Sequence, residues 1–257
     1  MGESVTVDTV IAALADQQAE LSGLLRAMDD ADWRRPTPCD GWDVADVVLH
    51  LAQTNEMAIA SIQGRLEFLL ERLTTGEAPV TNVDDGAATM VEHERGASDQ
   101  SVHIRWRDGA DELRSLFERS DPHQRVTWVA GQLSIRTLAT TRLSETWIHT
   151  GDVAIALDRD LPHTDRLRHI ARLAWRTLPY AFERDHRVLS GPVAFELRGP
   201  HGDEWNFSPD EEARTTIRGD AVDLCMVAAR RVEPSETSLV GTGPDADAVL
   251  ELVRTYA

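Results

Sequence analysis

An α+β fold is predicted for this chain: a four-helix bundle over residues 1–160, a helical connector over 161–188 packed on the bundle, and a small α+β domain over 189–257. Three observations predict it. Apolar residues recur at three- and four-residue intervals through the first 160 residues, as amphipathic helices require. The same spacing runs on through the connector. From about Leu189, short alternating stretches punctuated by glycine and proline replace it. The chain has 257 residues, 42% of them hydrophobic, enough to bury the core of one large domain or two modest ones.

In chain order, Val7, Val10, Ile11, Leu14, Gln18, Leu21, Leu25 and Met28 share one face, predicting a first helix of about six turns. The loop ADWRRPTPCDGW, closed by Gly41, separates it from a second. Asp43 is placed to cap that second helix, and Asp46, at its third position, completes a capping box with aspartate instead of the commoner glutamate. The helix runs through VADVVLHLAQTNEMAIASIQGRLEFLLERL with a break near Gly64. After the loop TTGEAPVTNVDDG comes a polar helical segment from about Ala87 to Glu118. Asp121-Pro122 closes it, and a fourth long helix covers roughly Ser134 to Leu157. Each apolar stripe needs a partner to cover it, which makes a bundle of the four. TDRLRHIARLAWRTLPYAFERD continues helical, its end blurred by Pro179. Beyond it GPVAFELRG and DEWNFSP read as strands joined by a hairpin at Gly199 to Asp203, ARTTIRG as a further strand, and DAVDLCMVAARR as a helix. TSLVGTG reads as a strand and PDADAVLELVRTYA as a terminal helix.

Acidic residues number 44 against 26 basic, a net charge of -18, and basic residues never cluster beyond pairs such as Arg34-Arg35 and Arg230-Arg231. That field repels phosphates and anionic lipid, so neither nucleic acid nor membrane is an expected partner. No lysine is present, which removes Schiff-base chemistry and a Walker A lysine. Cys39 and Cys225 match no zinc-finger or redox spacing; Cys39, just before the helix that carries His50, reads as a buried turn residue with a reactive thiol as the alternative, and Cys225 as core filling. No apolar run approaches a membrane span and the opening residues lack a basic, then apolar, leader pattern, so a cytoplasmic location is expected. The acidic surface leaves monomer and homodimer equally open.

On the fourth helix Leu138, Arg142, Glu145, His149, Asp152 and Ala156 form one stripe. Glu145 and His149 stand one turn apart on it, able to approach a common atom, and a carboxylate with an imidazole suits zinc or another divalent first-row metal. Two ligands are too few; His50, costly to bury within VVLHLA without a partner, is the leading third. Two imidazoles and a carboxylate leave a coordination position open, the arrangement of a catalytic metal. A hydrogen-bonded helix surface uses the same spacing, and Arg142 and Asp152 serve equally as orienting groups or structural ion-pair partners. His93, His103, His163 and His169 sit in polar settings without a ligand pattern and read as surface or supporting residues. GTGPDAD lacks the third glycine of a dinucleotide loop.

The segments TPCDGWDVADVVLHLA and LATTRLSETWIHTGDVAIAL, extended by TDRLRHIARLAWRT and DLCMVAARR, resemble the DinB-like, mycothiol-dependent maleylpyruvate isomerase superfamily, particularly its actinobacterial metal-binding branch. The likeness spans nearly the whole chain and is weakest between about residues 75 and 125. It implies a DinB-like four-helix bundle holding a divalent metal, commonly zinc, through His50, Glu145 and His149. It also implies an arginine of the carboxyl-terminal domain near the reaction, with Arg230 and Arg231 both matching. The expected activity is a metal-dependent S-transferase that joins mycothiol or a related low-molecular-weight thiol to an electrophilic small molecule. Cis-trans isomerisation is close behind, and a metal-dependent hydrolase or a non-catalytic binding protein stands as a further alternative.

Overall fold

The computed structural model describes residues 7–73, 83–129 and 131–255, and its contacts divide the chain into two units, residues 1–161 and 162–257. In the first unit four long helices form the predicted bundle: α1 (Val7–Arg26), α2 (Val44–Ile62), α5 (Asp99–Arg119) and α6 (Ile135–Ala156), with the short α3 (Leu66–Leu73) and α4 (Val83–Glu94) between α2 and α5. α1 and α2 each lie against both α5 and α6, so the four close around one core. Leu14 and Leu21 from α1, Val47 and Leu51 from α2, Leu113 from α5 and Leu138 from α6 are fully buried within it. α2 and α6 bury residues around their whole circumference, polar ones included, whereas α1 keeps one exposed face. The two buried helices are therefore where polar side chains need partners.

Local chemistry sets the ends of α2. Asp43 accepts from the Asp46 amide at 3.0 Å and Asp46 accepts from the Asp43 amide at 3.3 Å, the expected capping box. Gly64, at φ 70°, turns the chain out of the helix, and α3 follows. The polar helical segment expected as one piece is two helices, α4 and α5. Gly96 at φ 97° ends the first, and the Ser98 side chain accepts from the Ser101 amide at the start of the second. The stretch VDDG, read as loop, belongs to α4, where Asp84 and Asp85 favour the positive end of the helix; residues 74–82 of that loop lie outside the described residues. A hairpin not foreseen from the sequence, β1 (Arg125–Trp128) with β2 (Gly131–Ser134), precedes α6, and Ser134 caps that helix. Four-residue strands are too short for alternation to declare them.

In the second unit, α7 (Leu167–Arg184), read as a connector, packs against α8 (Ala221–Ala228), α9 (Ala246–Leu252), β3 (Val193–Arg198) and β4 (Glu204–Phe207). Its Trp175 indole donates to the Val193 carbonyl at 2.7 Å. Pro179 sits on its exposed side, and the helix continues past it to Arg184. The sheet order is β4-β3-β5-β6, with β5 at Thr215–Asp220 and β6 at Val240–Thr242. β3 runs parallel to β5, and the β3–β4 and β5–β6 pairs are antiparallel. The Gly199 amide donates to the Asp203 carbonyl at 2.8 Å, closing the expected hairpin. Gly243 of the GTGPDAD stretch has φ 105°, and a Cβ there would lie 2.1 Å from the Arg214 carbonyl oxygen, so this glycine serves a close backbone approach. Cys225 is fully buried, its thiol 3.7 Å from the Leu167 carbonyl, with burial pushing its pKa up. Among the described residues no helix is long and apolar enough to cross a membrane.

Candidate metal centre

The buried faces of α2 and α6 meet where α2 carries His50 and α6 carries Glu145 and His149. His50 Nε2 is 3.6 Å from Glu145 Oε2, and His149 Nε2 is 3.7 Å from the same oxygen. The two imidazoles meet nearly edge-to-face with ring centres 4.9 Å apart, and one ligand atom from each of the three residues lies within 4.8 Å of the others. Direct hydrogen bonds would draw these atoms to about 2.7–3.2 Å. Metal bonds of about 2.0–2.1 Å in a tetrahedron instead separate ligand atoms by roughly 3.4 Å. The spacing thus suits a shared cation better than a hydrogen-bonded cluster, and the donor types fit zinc.

Electrostatics point the same way. Burial pushes His50 down to about 4, against the raising influence of Glu145, so its imidazole is neutral and able to ligate at neutral pH. Burial opposes ionisation of Glu145, but His50, His149 and Arg142 outweigh it and carry the carboxyl down to about 2. Arg142, 1% exposed, is lowered by burial to about 10 and remains charged, partly sustained by Glu145. Its Nη2 donates to Asn55 Oδ1 at 3.3 Å, while Nε and Nη1 are buried with no hydrogen-bond partner among the described residues.

Asp152, the last polar member of the α6 stripe, accepts from His149 Nδ1 at 2.9 Å. A carboxylate on Nδ1 fixes the tautomer that leaves Nε2 free to ligate. A second potential ligand set, Cys39 with Asp152 and His149, shares that histidine. There the short His149–Asp152 contact marks a hydrogen-bonded pair rather than two ligands about one ion. Trp42 is the neighbour that sequence reasoning missed, its ring 5.2 Å from that of His50; Cys39, read as a reactive thiol or a buried turn residue, is half-buried and reaches Asp152. The available signal was TPCDGW immediately before the helix that carries His50. Arg230 and Arg231 follow α8 in the second unit; Arg230 is exposed with φ 58°, and Arg231 donates to the Ala229 carbonyl at 3.1 Å. His169, read as surface, is partly buried on α7, and burial together with Arg168 and Arg172 lowers it to about 4.

A family model described as the mycothiol maleylpyruvate isomerase N-terminal domain matches residues 14–154, over half of the chain and inclusive of His50, Glu145 and His149. The chain belongs to this family. Two uncharacterized proteins of Mycobacterium tuberculosis, from strains CDC 1551 / Oshkosh and ATCC 25618 / H37Rv, are each 31% identical to this member over 249 residues, 96% of this chain and 95% of theirs. Crystal structures of the mycothiol-dependent maleylpyruvate isomerase and of a histidine-to-alanine mutant match with TM-scores of 0.61 at 15% and 14% identity, over 93% of each chain. At that identity the match concerns the fold, which is the DinB-like helical unit with a smaller α+β unit.

Proposed function

We propose that this protein is an enzyme in which His50, Glu145 and His149 hold a divalent metal, zinc by their donor types, and a low-molecular-weight thiol, mycothiol foremost, is joined to an electrophilic small molecule. The observation that carries the reading is the spacing of two buried imidazoles about one carboxylate oxygen, 3.6 and 3.7 Å, too long for hydrogen bonding and suited to a common ion. When bound, a metal with an open position acts as a Lewis acid that lowers the pKa of a thiol at neutral pH. The chain's own residues do the rest. Asp152 holds His149 in one tautomer. His50, His149 and Arg142 together keep Glu145 anionic, and Arg142, Arg230 and Arg231 are the cations proposed to bind acidic groups of substrate or thiol. Sulfur adds to an activated double bond: a carbon–sulfur bond forms, the π bond opens, and the thiol proton goes to the neighbouring carbon.

Family membership favours a second outcome of the same addition. If, after rotation about the former double bond, the added proton leaves carbon as the carbon–sulfur bond breaks, the π bond re-forms, the proton returns to sulfur to regenerate the thiol, and the product is a cis-trans isomer. Metal analysis combined with mass spectrometry of products formed from mycothiol and candidate electrophiles tests the proposal. A sulfur-containing product supports transfer, and a product of unchanged mass formed only with thiol supports isomerisation. Either must depend on Glu145 and His149 in variants that still fold. Solvent oxygen in the product without any thiol would make the protein a hydrolase, and tight binding without turnover would make it a binding module; both overturn the proposal.

A further inference from the structure

The loop from Pro36 to Asp43 touches both histidines of the candidate centre. Trp42 lies against His50, and Cys39 approaches the far side of His149. The Cys39 thiol donates to Asp152 Oδ2 at 3.3 Å, the oxygen that accepts from His149 Nδ1 at 2.9 Å, and Sγ stands 3.9 Å from that nitrogen. Asp152 is 1% exposed, so the position of its carboxylate is set by the donors packed around it. The loop holds the thiol in place by its own bonds. Thr37 Oγ1 accepts from the Cys39 amide at 3.2 Å and donates to the Trp42 carbonyl at 2.9 Å, the Trp42 amide donates back to the Cys39 carbonyl at 3.0 Å, and Gly41 takes the left-handed turn at φ 75°.

We propose that Cys39 is a positioning residue of the metal centre: by donating to the oxygen of Asp152 that His149 also uses, it pins the carboxylate against Nδ1 and keeps Nε2 presented to the cation. The inference rests on the metal-centre reading above and adds to it a residue from outside the two ligand-bearing helices. A buried carboxylate that loses a donor is freer to rotate, and the imidazole it orients loosens with it. The cysteine acts here as a hydrogen-bond donor and undergoes no covalent chemistry.

The test is zinc affinity of the full chain, measured by competition with a chromophoric chelator, for wild type, Cys39→Ala, Cys39→Ser, Asp152→Ala and Glu145→Ala, with thermal unfolding of the metal-free proteins alongside. Loss of an outer hydrogen-bond partner weakens such sites by about 10–100-fold. Cys39→Ala is expected to show a loss near the lower end of that range, and Asp152→Ala at least as much. Cys39→Ser, which keeps a donor, is expected to bind close to wild type, and metal-free Cys39→Ala to unfold near the wild-type midpoint. Wild-type affinity in Cys39→Ala overturns the inference. So does a serine variant as weak as the alanine variant, because the thiol would then matter for its packing alone. In the cobalt-substituted protein, a sulfur-to-metal charge-transfer band that disappears in Cys39→Ser would make Cys39 a ligand and likewise overturn it. A wild type that binds no zinc removes the metal-centre reading itself, whereas zinc binding lost in Glu145→Ala but untouched in Cys39→Ala removes only the role of Cys39.

Discussion

Replacing Glu145 by glutamine tests the charge balance of the centre and its metal capacity in one variant. The side chain keeps its shape and loses its anion. In the metal-free protein the carboxyl is carried from 4.5 to about 2, so the ionised form stabilises the fold above pH 4.5 and that contribution disappears as pH falls toward 2. At pH 7 the difference corresponds to ~3 kcal/mol. Arg142, 1% exposed and partly sustained by Glu145, loses that compensation in the same variant, an effect already contained in the shift of the carboxyl. In a chain of this length each kcal/mol moves the unfolding midpoint by roughly 2–4 °C, so the metal-free variant is expected to melt about 6–12 °C below wild type. Zinc at about a hundred times its dissociation constant should then raise wild type by ~2.7 kcal/mol and leave the variant nearly unmoved. Differential scanning calorimetry at pH 7, with and without zinc, reads both effects. A variant that melts with wild type, or that gains the full zinc increment, refutes the reasoning.

Three further outcomes follow from the same structure. His169 is lowered to about 4 in the fold, below its ordinary 6.5, so the unfolded chain binds the extra proton. Stability of the second unit is therefore complete above pH 6.5 and falls as pH drops toward 4, by about 2 kcal/mol given its partial exposure, and the dependence should flatten in His169→Gln when urea midpoints are compared at pH 7 and pH 5. Trp106 is 2% exposed in the bundle core, and Trp106→Ala should cost about 3–5 kcal/mol in urea unfolding; a loss below about 1 kcal/mol would contradict the packing described. Gly243→Ala would set a methyl group 2.1 Å from the Arg214 carbonyl at φ 105° and should destabilise the second unit by at least about 1–3 kcal/mol, as seen in faster amide exchange of β5 and β6. Unchanged exchange there would contradict the close approach.

Features governed by neighbours a few residues apart could be read from the letters alone. The apolar stripe of α1, the Asp43/Asp46 capping box, the break at Gly64, and the placing of Glu145 and His149 one turn apart all follow from helical spacing or local backbone bonding, which sequence order encodes directly. The hairpin at 125–134 escaped because its short strands become visible only when paired, and the separation of α4 from α5 escaped because Gly96 and Ser98 sit within a continuous polar stretch. The centre divides along the same line. His50 lies 95 positions before Glu145, and no spacing rule connects them; what brings its Nε2 to 3.6 Å from Glu145 Oε2 is the packing of α2 on α6. The apolar setting of VVLHLA and the resemblance both pointed to His50, and the fold supplies the physical cause. Cys39 and Asp152, 113 positions apart, come together only once the loop before α2 is closed over α6. Such meetings arise from burial summed over many side chains, so they belong to the folded core and have no signature in any single segment.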